Sequence, residues 1–329
     1  MPREDAESRE LLGSLPLPEE SGESESLTTV LVAFIANILV AVAKTVAAIV
    51  TGSASLTAEA AHSWADSGNE IFLLLANRRS RRPPDPAHPQ GYGREAYVWS
   101  LFAALGLFVA GAVVSVTQGI GELLRPEPGS HFLIGYIVLA VAFVLEGTSF
   151  LQSVRQAKPQ ADSVQRDLID HVLATSDPTL RAVFAEDSAA LVGVVIAAAG
   201  LGIHQLTGSP VPDAVGSILI GLLLAVVAVI LINRNQRYLV GQEADPDVRA
   251  AAIRALLNAP EVARVTYLRL EVVGPKMLFV VGDVDLTGDD PEPRLAVRLR
   301  ALEAKISASP AVVGAVLSLS APDEPTLEA

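Results

Sequence analysis

The chain has 329 residues; half of them are hydrophobic, only 5% are aromatic, and the net charge is −13. Charged residues are concentrated towards the two ends, while the middle is apolar, so a fully soluble globular protein is excluded. The acidic balance also argues against nucleic-acid binding, which needs a basic face. With no cysteine in the sequence, disulfide bonds and thiolate metal ligands are excluded as well.

The first element is an acidic leader. Residues 1–26 contain eight acids and two bases and are rich in Ser and Pro, so we expect them to be disordered. Six apolar stretches follow, and each is long enough for a helix that crosses a bilayer. This pattern predicts an all-α, six-helix transmembrane domain, with stretches at about 28–50, 54–77, 96–123, 131–155, 180–206 and 212–232.

The basic residues between the stretches predict the orientation. Eleven Lys and Arg residues follow the second, fourth and sixth stretches, whereas the connections on the other side carry only Arg125. Because Lys and Arg are retained on the cytoplasmic side, we expect both termini to be cytoplasmic. A composition rich in Ala, Arg and Pro favours a bacterial inner membrane.

The second stretch carries a line of polar residues on an otherwise apolar helix. Glu59, His62 and Asp66 recur at helical spacing, with Ser55 and Asn69 continuing the same face. His62 and Asp66, four residues apart, lie about one turn from each other and could bind one divalent metal ion. The alternative is a buried hydrogen bond that joins two helices.

The fifth stretch favours the metal site. It begins with Ser176 and Asp177 before a proline, which is typical of a helix start, and Glu186 and Asp187 follow about ten residues later. The helical rise places Asp187 about 14 Å from the cytoplasmic end, a depth that His62 and Asp66 share. Carboxylates at this depth need a cation or protons, because unpaired charges in hydrocarbon are costly.

Other polar residues in the stretches are given structural roles. We expect Lys44 to pair with a carboxylate, and Asp213, next to a proline, to cap the sixth helix. Glu146, Ser149 and Ser153 form a short polar face on the fourth helix, which we interpret as packing contacts.

A small soluble domain follows the apolar region. Residues 250–257 and 294–306 have helical spacing, and residues 262–272, 277–286 and 312–319 alternate like strands. The order αββαβ predicts a helix layer on a small antiparallel or mixed sheet. The predicted boundaries are a leader at 1–26, a membrane domain at 27–240, a soluble domain at 241–320 and a tail at 321–329.

Four motifs in this order resemble the cation diffusion facilitator family of metal/proton antiporters. Residues 52–66, GSASLTAEAAHSWAD, resemble its second-helix motif, and residues 82–94, RPPDPAHPQGYGR, look like its loop before helix three. Asp187 with Gly193 fits its fifth helix, and residues 212–217, PDAVGS, fit its sixth.

The resemblance implies a six-helix membrane domain and a ferredoxin-like cytoplasmic domain, usually in a homodimer. It implies export of divalent cations, commonly zinc, in exchange for protons, with no cofactor. The family's transport ligands match His62, Asp66 and Asp187, but Val183 stands where a fourth ligand is usual. Glu186 could replace that ligand, as in a divergent branch that includes a mitochondrial zinc transporter.

The resemblance also marks weaker sites. Asp85 and His88 are candidate ligands for a second metal ion in the loop, where Tyr92 replaces a histidine that the family often uses. The cytoplasmic domain has no histidine, and we interpret its acids, Glu271, Asp283 and Asp285, as a solvated face. Gly241 stands where the family often has an aspartate, so an ion pair from that position to Arg94 is not expected.

The sequence therefore predicts a proton-coupled zinc exporter that works by alternating access. His62, Asp66 and Asp187 would also exchange protons, since a ligand must lose its proton to bind metal. The oxygen-rich ligand set also suits manganese or iron(II), and a membrane metal sensor or scaffold without transport is a further alternative. No zinc-protease, nucleophile-elbow or phosphate-loop motif indicates an enzyme.

Overall fold

A computed structural model of the protein describes Leu12, residues 27–126 and residues 129–328, with side chains from residue 34 onwards in the first helix. The expected disorder of residues 1–26 lies outside the described residues, apart from Leu12. The described chain forms two compact units. The helical unit contains residues 27–77 and 97–236, and the sheet unit contains residues 78–96 and 237–328.

Long helices occupy the six predicted stretches, and a short helix precedes the fifth of them. The third helix contains a π-helical segment, Leu107–Val113, between two α-helical parts. In chain order the helices are α1 (Leu27–Thr51), α2 (Ala54–Ser80), α3 (Glu95–Leu124), α4 (Phe132–Ser163), α5 (Leu168–Ala174), α6 (Pro178–Thr207) and α7 (Val211–Val240).

Five of these helices, α1, α3, α4, α6 and α7, are long and apolar enough to cross a membrane. The helix α2 has 27 residues and lies where the sequence predicts it. Its apolarity is below that of a membrane span, because its polar line of side chains dilutes the apolar ones. The predicted elements are therefore confirmed as helices, and apolarity supports a membrane crossing for five of them.

The predicted start of α6 is confirmed. Asp177 Oδ1 accepts hydrogen bonds from the backbone N–H groups of Thr179, at 2.9 Å, and Leu180, at 3.3 Å. Pro178 occupies the first turn, where its missing N–H costs nothing. These contacts satisfy N–H groups that a helix start otherwise leaves unpaired.

Small residues allow close helix packing in the helical unit. A Cβ added to Gly119 of α3 would lie 2.6 Å from the carbonyl oxygen of Ala214 in α7. One added to Gly221 of α7 would lie 2.9 Å from the carbonyl oxygen of Ala112 in α3. The two backbones therefore approach more closely than any larger residue would permit.

The predicted order αββαβ of the sheet unit is confirmed. The strands β1 and β2 pair antiparallel and turn at Gly274–Met277, while β2 and β3 pair in parallel, so the sheet order is β1-β2-β3. Alternate residues of β2 are buried, as the sequence pattern predicts. The elements are α8 (Pro246–Leu257), β1 (Val262–Gly274), β2 (Met277–Leu286), α9 (Glu292–Ser307) and β3 (Val312–Leu319).

The segment between α2 and α3 belongs to the sheet unit. It packs on the turn between β1 and β2, where a Cβ added to Gly93 would lie 2.8 Å from the Cα of Gly274. Two glycine backbones are thus in direct contact, and no side chain fits between them.

Candidate functional site

The polar line of α2 faces the interior of the helical unit. Glu59 and His62 are fully buried, Asn69 is buried, and the side chain of Asp66 is 20% exposed. The spacings of three and four residues place these four groups on one side of the helix, as predicted. Their burial makes hydrogen-bond partners or counter-charges necessary.

His62 and Asp66 lie together, as predicted from their spacing. Nδ1 of His62 is 3.3 Å from Oδ1 of Asp66, but the two atoms do not have the geometry of a hydrogen bond. Within the described residues, neither ring nitrogen of His62 has a hydrogen-bond partner, and neither does Asp66 Oδ1. A buried polar atom without a partner costs about 1–3 kcal/mol, so these atoms are suited to a ligand that supplies charge.

The two acids of α6 face different helices. Glu186 Oε1 accepts a hydrogen bond of 2.9 Å from Asn69 Nδ2 on α2, whereas both oxygens of Asp187 lie 3.1 Å from the Ser149 hydroxyl on α4. Adjacent helical residues point about 100° apart, which explains the difference. Glu186, rather than Asp187, thus makes the hydrogen bond to α2.

Electrostatics connects these groups. Asp66 lies within electrostatic range of Glu186 first, and then of Glu146, Lys44 and Asp187. In the part of the chain that the structure describes, however, no three His, Asp or Glu side chains are close enough to hold one metal ion together. The helical unit therefore brings together one imidazole–carboxylate pair, with further carboxylates nearby.

Lys44 is paired with carboxylates, as the sequence predicts. Its ammonium group is fully buried and lies 2.9 Å from Glu59 Oε2 and 3.4 Å from Glu146 Oε1. Glu146 was interpreted as a packing residue, and it is also an ion-pair partner. Asn37 of α1 makes a second polar contact with α2, donating to Glu70.

The expected role of Asp213 is wrong in one respect. Its carboxylate does not cap α7 but accepts hydrogen bonds from the start of α2: from the backbone N–H of Ala54 at 2.7 Å, from the Ser53 hydroxyl at 2.9 Å, and from the Ser55 hydroxyl. All four residues are buried. Asp213 therefore fixes the beginning of α2 to α7, a contact across about 160 residues that no local pattern could indicate.

Asp85 and His88 meet in the loop of the sheet unit. Asp85 Oδ1 lies 3.2 Å from His88 Nδ1, and Oδ2 accepts a 2.6 Å hydrogen bond from the Tyr92 hydroxyl. That hydrogen bond, with others from the backbone of His88 and Ala87, lowers the pKa of Asp85 to about 2. Because the folded-state pKa is lowered, these bonds support the loop above about pH 4 and are lost as the pH falls towards 2.

The acids of the sheet unit form ion pairs within that unit. Glu271 pairs with Arg94, although Gly241 provides no aspartate for this contact. Asp285 pairs with Arg264 at 3.0 Å. The interpretation of Glu271 as part of a solvated face is therefore incomplete, because its partner comes from the segment between α2 and α3.

Comparison with known proteins defines the family. Residues 30–240 match the family model of the cation efflux transmembrane domain, which covers more than half of the chain. The chain belongs to the cation diffusion facilitator family. With five apolar helices of sufficient length, it is an integral membrane protein.

Individual relatives agree with this assignment. The chain is 35% identical over 233 residues to metal tolerance protein C4 of Arabidopsis thaliana, covering 71% of this chain and 51% of the relative. It is 34% identical over 259 residues to the mitochondrial proton-coupled zinc antiporter SLC30A9 of Homo sapiens, covering 79% and 46%. It is 27% identical over 232 residues to zinc transporter ZitB of Escherichia coli, covering 70% and 68%. The chain thus spans about half the length of the first two relatives.

Proposed function

We propose that this protein exports a divalent cation, most often zinc, in exchange for protons by alternating access. The observation that carries this proposal is the buried pair of His62 and Asp66, whose facing atoms are without hydrogen-bond partners among the described residues. Relatives named as a proton-coupled zinc antiporter and as a zinc transporter support the same cargo. The donors are also suited to manganese and iron(II), which are the alternative cargoes.

We propose His62, Asp66, Glu186 and Asp187 as the transport ligands. Because these side chains do not surround one point in the structure, the ion must draw α2 and α6 together as it binds. Glu186 is the nearer participant, since it already contacts α2 through Asn69. Protons compete with the ion for His62, Asp66 and Asp187, so release on the far side is coupled to proton uptake.

The membrane arrangement is part of the proposal. We propose that α2 crosses the bilayer as the sixth span, since its polar side chains face the protein interior. Both termini are then cytoplasmic, in a bacterial inner membrane, and residues 241–320 form a ferredoxin-like domain of a homodimer. The leader covers residues 1–26, the membrane domain 27–240 and the tail 321–329.

We propose the Asp85–His88 pair as a second, weaker cation site. Only these two donors meet there, and Asp85 already accepts hydrogen bonds from Tyr92 and the backbone. An ion at this position must therefore compete with Tyr92 for the carboxylate.

Transport into proteoliposomes tests the main proposal. Zinc and manganese fluxes are measured with and without a pH gradient, and the double variant His62→Ala/Asp66→Ala should lose more than about tenfold of the flux, because two ligands are removed. The matched control is His204→Ala, which removes a buried histidine of α6 outside the site. Full flux in the double variant would overturn the ligand assignment, and zinc binding without any flux in the unaltered protein would indicate a sensor instead.

A further inference from the structure

Lys44 is a buried cation for which the proposed transport cycle has no use. Its side chain is fully buried in α1, and its ammonium group contacts Glu59 of α2 and Glu146 of α4 at 2.9 and 3.4 Å. Ionisable groups inside a membrane are costly and are retained mainly for function. Two carboxylates that converge on one positive charge are also an arrangement that binds divalent cations.

Glu59 is held in this position from a second side. Its Oε1 is fully buried, has no hydrogen-bond partner among the described residues, and points at Gly193 of α6, where a Cβ would overlap it. The missing side chain at Gly193 thus provides the space for Glu59. A free carboxylate oxygen beside Lys44 is an available metal ligand.

The charge of Lys44 also reaches the proposed transport ligands. Lys44 lies within electrostatic range of His62 and Asp66, and Glu146 within range of Asp66 and Asp187. A positive charge near His62 and Asp66 opposes the binding of a divalent ion, unless a carboxylate neutralises it. Glu59, as its nearer partner, is placed to do so.

We propose that Lys44 is a positioning residue that acts as a resident cation. Its ammonium group occupies the point where Glu59 and Glu146 converge, so that these carboxylates do not bind the cargo ion. Its pair with Glu59 shields His62 and Asp66 from its positive charge. The inference rests on the proposed function, because it concerns which acids of the same interior the cargo meets.

A buried ion pair with only a packing role predicts a different outcome. Removing one partner of such a pair lowers stability, but it does not create a binding site. The number of bound ions per chain therefore separates the two roles, whereas a measurement of stability alone would not.

Zinc binding to the purified full chain in lipid nanodiscs tests the occupied site. Bound Zn²⁺ is counted by equilibrium dialysis and elemental analysis for the unaltered protein, Lys44→Gln, Lys44→Arg and Lys44→Gln/Glu59→Gln. We expect Lys44→Gln to bind one additional Zn²⁺ per chain, and the Arg and double variants to bind the original number. An unchanged number in folded Lys44→Gln overturns the inference, whereas absence of zinc binding to the unaltered protein overturns the proposed function.

A second comparison tests the shielding and does not require Lys44→Gln to fold. In Glu59→Gln, Lys44 keeps only the longer contact to Glu146, so its charge acts more strongly on His62 and Asp66. We expect zinc affinity about tenfold weaker than that of the unaltered protein, and recovery to within about twofold in Lys44→Gln/Glu59→Gln. A Glu59→Gln chain that binds zinc normally, or a double variant that shows no recovery, contradicts the inference.

Discussion

At the level of single residues, the most informative contrast is between Glu186 and Asp187. The first is hydrogen-bonded to α2 through Asn69, and the second to α4 through Ser149. Val183, at the position where the family often has a ligand, packs instead against the apolar core of the helical unit. A metal ion shared by α2 and α6 therefore meets Glu186 first, provided that Asn69 keeps this carboxylate directed towards α2.

Two substitutions compare these carboxylates. In Asn69→Leu, Glu186 loses its donor, whereas in the control Ser149→Ala, Asp187 loses its own. We expect zinc affinity to fall about 10- to 100-fold in Asn69→Leu and less in Ser149→Ala, because loss of a group that orients a ligand has this effect. Titration of both variants with zinc measures the difference; a greater loss in Ser149→Ala would assign the main role on α6 to Asp187.

At the level of elements, the contact between α7 and the start of α2 has the clearest consequence for stability. Ser53 accepts from the backbone N–H of Leu56 at 3.1 Å and donates to Asp213, which also accepts from Ala54. The beginning of α2 is thus capped in two layers, the outer one supplied by another helix. Its loss would leave several buried donors unpaired at once.

Asp213→Ala tests this cap against a local one. Removing Asp213 should lower the free energy of unfolding by about 2–4 kcal/mol, since it combines a lost cap with unpaired buried donors. The control Asp177→Ala removes a cap within α6 alone and should cost about 1 kcal/mol. Denaturant unfolding in detergent compares the two; an Asp213→Ala variant as stable as the control would rule out the interhelical cap.

At the level of the whole molecule, the sequence predicts elements well and long-range partners poorly. Helical and strand periodicity locates α1 to α7 and the order αββαβ, and the spacing of His62 and Asp66 predicts that they meet. Which of Glu186 and Asp187 faces α2 depends on the rotation of α6, which packing sets. The contacts of Asp213 with Ala54 and of Glu271 with Arg94 join residues about 160 and 180 positions apart, and no periodic pattern records such pairs.

The polarity of α2 also bears on how the chain enters the membrane during synthesis. The helix is too polar to be retained in lipid by its own composition, and its partners Glu146, Glu186 and Asp213 are translated later. We expect α2 to remain outside until these helices arrive. Because the sequence has no cysteine, one introduced at the exposed Ala87 reports on this event. An impermeant maleimide should label it from outside in a chain that ends after α4 and not in the full chain; equal protection in both would show that α2 inserts unaided. Biogenesis would then be a late assembly step, in which the helix that binds the cargo is the last to be buried.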